Sequence, residues 1–318
     1  MRKILVTAIS GNVANGILKE LTELKEKEDE LYGCDVYDYP VGMDKVKLLW
    51  KSDFASSPAY IENLLAKCKQ LGITHIIPAN EKEIEKINLN RKAFEKNNIH
   101  LIMCSDEILN CCFDKYETVK YLNKFNIDVP KTYLKEDFLP DGNNYIVKLR
   151  HSCGSKFLKI IKSLDELTEE EKKQDIICQQ YIPDENNEYT VGVLCDGNIT
   201  NSIIFKRKLE HGYTSFVELT EDNNIALLAK KIAEIFSLKG SLNIQLRKYQ
   251  GKFYIFEINP RISGTVYFRH LLGFSDAYWW LCISDGKTIP EYVQKYHKAV
   301  GVRELNEKYL ILDKKFNE

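Results

Sequence analysis

No stretch of the 318 residues approaches the ~20 consecutive apolar residues that a membrane-spanning helix needs. The apolar run after Met1-Arg2-Lys3 ends at Ile9 and leads into Ser10-Gly11-Asn12, which reads as a turn and not as a secretory cleavage site. An excess of one charge is missing too: 45 Lys and Arg stand against 46 Asp and Glu, a formal net charge of -1. No global field therefore draws the chain to nucleic acid or to an anionic membrane. Only 8 prolines and 16 glycines occur, and with 44% hydrophobic and 29% charged residues they exclude collagen-like, low-complexity and wholly disordered chains. The nine cysteines, at 34, 68, 104, 111, 112, 153, 178, 195 and 282, include no CxxC pair. Neither a disulfide framework nor a zinc site fits, so they read as reduced thiols serving as small core residues of a cytoplasmic protein. The six histidines form no ligand set.

What the chain does have is length and pattern. At roughly 100–200 residues per domain it amounts to about two domains. In the N-terminal third, strand signals (Ile4–Ala8, Cys34–Tyr37, Thr74–Pro78, Ile99–Met103) are spaced by helical ones (to Leu24, Tyr60–Leu71, Glu81–Lys96). That alternation predicts a parallel sheet with right-handed crossovers and a ligand edge at the strand C-termini, near Ser10-Gly11 and Pro78-Ala79-Asn80-Glu81. The charged run Lys25–Glu30 reads as a solvated helix end. A boundary falls near Ser105–Cys112, followed by a helix over Lys115–Phe125. From Tyr145 onward the strands read as antiparallel, and Asn224–Leu238 as a core-facing helix stopped by Gly240. Tyr278-Trp279-Trp280 reads as core or subunit-packing aromatics, and the tail from Glu291 as one helix and a strand.

The last hairpin, Ser241–Arg261, carries the sharpest signal. Leu242, Ile244 and Leu246 alternate with Asn243, Gln245 and Arg247, and the return strand is expected to place Ile255, Glu257 and Asn259 on one face. With the turn centred on Gly251, Gln245 lies opposite Glu257 and Asn243 opposite Asn259. Opposed side chains have Cβ atoms about 4.5–5.5 Å apart, close enough for one carboxylate and two amide oxygens to converge on a hard cation. The competing reading is an ordinary solvated acid. Upstream, a strand ends in Lys148 and leads into the small-residue loop Ser152–Lys156, which suits phosphates or is simply a polar hairpin turn. Cys178–Ile182 reads as a strand with pairing backbone, and Glu188 opens the next.

Taken together, Asn243-Ile244-Gln245 followed by Glu257-Ile258-Asn259-Pro260-Arg261, Asp114-Lys115 before a helix, Lys148 before the loop and Gln180-Tyr181-Ile182 before Glu188 resemble the ATP-grasp superfamily. The match is best to the carbamoyl-phosphate-synthetase-like and carboxylate–amine ligase branch, over about residues 1–285. The resemblance implies an α/β N-terminal domain with a parallel sheet (1–108, pre-ATP-grasp) and an α+β ATP-grasp domain of two subdomains. The smaller subdomain (109–180) carries the phosphate lid, and the larger (181–318) carries the metal site and tail. Lys115 and Lys148 are implied to reach ATP phosphates, under a lid of Ser152, Gly154, Ser155 and Lys156. Gln180, Tyr181 and Ile182 meet the adenine edge, and Glu188 the ribose. Gln245, Glu257 and Asn259 hold Mg²⁺, with Mn²⁺ as a substitute. Arg261 faces the γ-phosphate and the attacking carboxylate, with Arg207, in a loop from Lys206 to Tyr213, as a further candidate there. His151 and His211 read as incidental.

The expected chemistry is ATP-dependent phosphorylation of a small-molecule carboxylate to an acyl phosphate, captured by an amine. Two alternatives stand beside it: a carboxy- or carbamoyl-phosphate-forming enzyme, and a non-catalytic ATP-binding protein. Nucleic acid and membrane are not expected partners, and the tail is a candidate dimer element.

Overall fold

The computed structural model describes residues 1–151, 157–183, 187–210 and 212–304. Three sheets organise them.

The first sheet is built from β1 (Lys3–Thr7), α1 (Asn12–Leu24), β2 (Glu30–Asp35), β3 (Leu48–Lys51), α2 (Tyr60–Leu71), β4 (His75–Ile77), α3 (Glu81–Leu89), α4 (Arg91–Glu95) and β5 (His100–Leu101). All its pairings are parallel, in the order β3-β2-β1-β4-β5. The chain leaves β1 toward one edge and returns through β4 toward the other, so a crevice opens at the C-terminal ends of β1 and β4. Three expectations change here. Strand β2 begins at Glu30 and β3 was not foreseen. The helix expected over Glu81–Lys96 breaks at Asn90 into α3 and α4. Lys25–Glu30 is not a helix end throughout: α1 stops at Leu24, and the turning chain buries the Asp29 carboxylate against the Arg2 backbone N–H (2.7 Å) and guanidinium (2.6 Å).

Helices α5 (Asp106–Cys112) and α6 (Lys115–Asn123) lead to β6 (Thr132–Leu134), β7 (Tyr145–Leu149), β8 (Lys159–Ile161), α7 (Glu169–Lys172) and β9 (Ile176–Gln180). These strands form an antiparallel sheet, β6-β9-β7-β8, over a small core of its own that includes Phe138, Tyr145, Val147 and Ile176.

The rest is β10 (Glu188–Cys195), β11 (Thr200–Glu210), β12 (Tyr213–Thr220), α8 (Asn223–Ile235), β13 (Gly240–Tyr249), β14 (Lys252–Asn259), α9 (Val266–Leu271), α10 (Asp276–Ser284) and β15 (Val300–Val302). The antiparallel order is β14-β13-β10-β11-β12-β15, and its core is continuous with that of the first sheet. Trp280 is buried in that core against Gly240, whose φ of +126° and 2.3 Å distance from an added Cβ to the indole leave room for glycine only. The helix expected in the tail is absent among its described residues. The Tyr292 N–H donates to Asn201 Oδ1 (2.9 Å) and Asn201 Nδ2 to the Pro290 carbonyl (2.8 Å), holding the segment extended until β15 pairs with β12. The eight described cysteines are free thiols, and all but Cys111 are buried, as expected of core thiols. No helix among the described residues is long and apolar enough to cross a membrane.

Candidate active site

The hairpin β13–β14 turns at Gln250-Gly251, both with positive φ (47° and 79°), the geometry of a tight two-residue loop. That turn pairs Tyr249 with Lys252, Arg247 with Tyr254 and Leu246 with Ile255. Continued without interruption, it would set Gln245 opposite Phe256. The register instead shifts between Gln245 and Leu246, and Phe256 becomes the extra residue of a bulge. Gln245 then meets Glu257, and Asn243 meets Asn259, the expected pairs. The same bulge corrects one expectation: Ile255 pairs with Leu246, both almost fully buried, and so lies on the core face, away from Glu257.

Beside β13 runs β10, where Glu188 pairs with Arg247 and Thr190 with Gln245. The Glu188 carboxylate receives Arg207 Nε at Oε1 (2.9 Å), and Arg247 Nε (3.0 Å) and Nη2 (2.8 Å) at Oε2. Arg207 Nη2 also donates to Gln245 Oε1 (2.8 Å). Arg207 lies within strand β11 and not in a loop, because the hairpin extends to Glu210 before it turns. Asn243 is fixed from behind: its Oδ1 accepts from Thr190 (2.9 Å) and from Arg269 (2.6 Å), whose guanidinium is fully buried against Asp276.

Lys148 enters from β7, buried, with Nζ 3.3 Å from the Phe256 carbonyl. Burial pulls its pKa down to about 8; Lys115 and Arg247 add to the fall, while Glu257 and Glu188 oppose it. Lys115 opens α6 behind the N-cap Asp114, which accepts from the Tyr116 and Glu117 N–H groups. Burial favours the neutral Asp114 carboxyl, but hydrogen bonds from Arg150 and the helix outweigh it and hold the group below the usual carboxylate range. His151 bonds Asp175 at 3.1 Å and sits 3.4 Å from Asp114. Ser152, Gly154, Ser155, Lys156 and His211 lie outside the described residues.

One cavity of about 120 Å³ is lined by Lys115, Lys148, Gln180, Tyr181, Ile182 and Glu188, with Arg207, Gln245, Arg247 and Glu257. Pro130, Ile146, Leu158 and Phe256 give it apolar walls. A second, more polar cavity of about 140 Å³ shares Arg207, Gln245 and Glu257 with it and adds Asn243, Asn259 and Arg261. The two make one cleft, with an apolar slot at one end, cations between and hydrogen-bonding side chains at the other end. The crevice of the first sheet, about 580 Å³, is lined by Ser10, Gly11, Asp35, Tyr37, Phe54, Asn80 and Glu83. Arg261 Nε (3.0 Å) and Nη2 (2.6 Å) reach Glu81 Oε1 on the loop-to-helix edge of that crevice. Burial pushes the Glu83 carboxyl up to about 7, although the Thr7 (2.6 Å) and Tyr60 (3.1 Å) hydroxyls favour its charged form.

Sequence reasoning placed Lys115, Lys148, Gln180, Tyr181, Ile182, Glu188, Arg207, Gln245, Glu257, Asn259 and Arg261 at a site, and the fold brings all of them to this cleft. It missed roles for Arg247, whose alternation with Leu246 was a signal, and for Glu81, which fell within the expected ligand edge. Nothing in the sequence announced Arg269 behind Asn243. The donor set of one carboxylate and two amides suits a hard divalent cation. Glu257 and Asn259 fit that role as they stand, whereas Gln245 Oε1 is shared with Arg207.

Residues 112–265 match the family model of the ATP-grasp domain. The carbamoyl phosphate synthase large chain of Buchnera aphidicola is 25% identical over 229 residues, covering 62% of this chain and 21% of that protein. The C-terminal section of the same enzyme from Methanocaldococcus jannaschii is 26% identical over 239 residues, covering 66% and 38%. The chain thus spans about a fifth to two-fifths of the length of these relatives. Among solved structures, N5-carboxyaminoimidazole synthetase from Staphylococcus aureus in complex with ADP superposes with a TM-score of 0.76 at 12% identity, covering 96% of this chain and 82% of that one. An L-amino acid ligase from Bacillus licheniformis gives 0.68 at 14%, covering 88% and 73%. At these identities the structural likeness establishes the fold.

Proposed function

We propose, from the premise that this chain carries an ATP-grasp domain, that it is an ATP-dependent ligase activating a small carboxylate for capture by an amine. The observation that carries the reading is the continuity of the cleft: an apolar slot beside Gln180–Ile182, the cations Lys115, Lys148 and Arg207, and the opposed pair Gln245 and Glu257.

In this reading the base lies between the apolar walls and the triphosphate runs past Lys115 and Lys148. Glu188 faces the ribose. Gln245, Glu257 and Asn259 would hold Mg²⁺, which would supply charge neutralisation at the phosphates. Phosphoryl transfer needs little covalent help from protein but needs charge balanced and atoms held in line. The substrate carboxylate, oriented by Arg261, attacks the γ-phosphorus; the bond to the β–γ bridging oxygen breaks, leaving ADP and an acyl phosphate. The amine then displaces phosphate. Residues 1–108 supply the acceptor crevice, 109–180 the covering subdomain and 181–318 the metal-binding subdomain.

The test is ADP release across a matrix of carboxylates and amines, begun with the proteinogenic amino acids and with bicarbonate as control. Release that needs both an organic acid and an amine supports the ligase. Release with bicarbonate alone rejects it in favour of a carboxyphosphate-forming enzyme.

A further inference from the structure

The cleft face of β13 presents Asn243, Gln245 and then Arg247, and the last of these lines the cavity with the apolar slot and not the more polar one that holds Asn243 and Asn259. Its guanidinium is held on several sides. Nε and Nη2 donate to Glu188 Oε2, and Nη1 donates to the Ile182 carbonyl at 2.8 Å. The guanidinium carbon lies 5.6 Å from the ring centroids of both Tyr181 and Phe256, within cation–π range. The Ile182 carbonyl is an acceptor on the wall that would meet a base edge. Arg247 already covers it.

A purine with an amino group at that edge sets its N–H donors against guanidinium N–H donors, and either displaces Nη1 or takes only the second lone pair of the Ile182 carbonyl. A purine with a carbonyl there meets the other N–H groups of the same guanidinium, which has five donors and no acceptor. Purines that differ only in this substituent therefore face opposite costs. We propose that Arg247 sets the purine preference of the cleft, lowering the advantage of a 6-amino purine nucleotide over its 6-oxo counterpart. The inference rests on the proposed function, in which the slot receives the base of a nucleoside triphosphate. Replacing Arg247 leaves Glu188 paired with Arg207, so no buried charge is stranded.

The experiment measures binding of ATP and inosine triphosphate, each with Mg²⁺, to the full chain and to Arg247→Leu and Arg247→Lys by calorimetry. Leucine removes every donor; lysine keeps a cation beside Glu188 without the planar fork. The ratio of ATP to inosine triphosphate affinity is expected to rise about tenfold in both variants, as one hydrogen bond to a charged group implies. If the leucine variant fails to fold, the lysine variant decides. A ratio unchanged within about twofold, or one that falls, overturns the proposal alone. Absence of binding by either nucleotide to all three proteins overturns the nucleotide reading itself, and this inference with it.

Discussion

Arg261 and Glu81 stand 180 residues apart, yet two guanidinium nitrogens of the first converge on one carboxylate oxygen of the second. The pair joins the loop after β14 to the start of α3, so it ties the polar end of the cleft to the edge of the crevice beside it. Both side chains are mostly shielded, 18% and 11% exposed, which makes the contact stronger than a surface ion pair. Glu81→Gln should loosen Arg261 and lower carboxylate-dependent ADP release about tenfold, the scale of one charged hydrogen bond. ATP affinity, measured by calorimetry, should stay within about twofold, because neither residue lines the apolar slot. A matching loss of ATP affinity would place the pair in nucleotide binding instead.

Glu257 is the one carboxylate in the expected metal set, and its charge also supports the buried Lys148 ammonium. Glu257→Gln keeps shape and removes that charge. Turnover should fall at least about a hundredfold, the scale of losing a main electrostatic contact in a transition state, while ADP still binds. Full activity with Mg²⁺ retained by this variant would remove Glu257 from the metal site.

How much of this was legible in the sequence depends on the range of the interaction. The pairing of Gln245 with Glu257 could be read because strand alternation and a local turn fix it within about twenty residues. Even so, the count succeeded through compensation: the Gln250-Gly251 turn alone gives the wrong register, and the Phe256 bulge restores it. Parallel order in the first sheet followed from alternating patterns, whereas β3 was missed because its half-exposed residues carry no strong apolar rhythm. Asp29 looked solvated inside a run of charges, and only its return to Arg2 shows it buried. Glu81 with Arg261, and Arg269 with Asp276 and Asn243, are tertiary pairings that no local pattern encodes. Arg247 was read as one member of an alternating face, and its position against Ile182 depends on three strands meeting.

Lys148 should make nucleotide affinity depend on pH. With its pKa near 8, the ammonium is mostly charged at neutral pH and mostly neutral about one unit above 8. Phosphates favour the charged form, so affinity for ATP should fall as pH rises through 8, by at most about tenfold per unit. Binding between about pH 8 and 9 should take up a proton, visible as a calorimetric heat that varies with the ionisation enthalpy of the buffer. Lys148→Met should bind weakly at pH 7 and lose this dependence. An unaltered pH profile in that variant would assign the titration to another group.

Glu83 provides a test in which the folded structure, and not the chemistry, is read out. Its carboxyl titrates near the usual 4.5 in the unfolded chain and at about 7 when buried between Thr7 and Tyr60. Between those values the folded state holds the extra proton. Its stabilising contribution is therefore complete below 4.5 and is lost as pH rises through 7. Glu83→Gln cannot ionise, and its amide oxygen still accepts from one hydroxyl while the other hydroxyl turns to accept from the amide N–H. The melting temperature of the variant, relative to the unaltered chain, should rise from about pH 5 to about pH 7 and level off above that. Other titrating groups are common to both proteins and cancel in that difference. A constant offset across the range would mean that Glu83 is ionised at both ends, with Thr7 and Tyr60 outweighing the cost of burial.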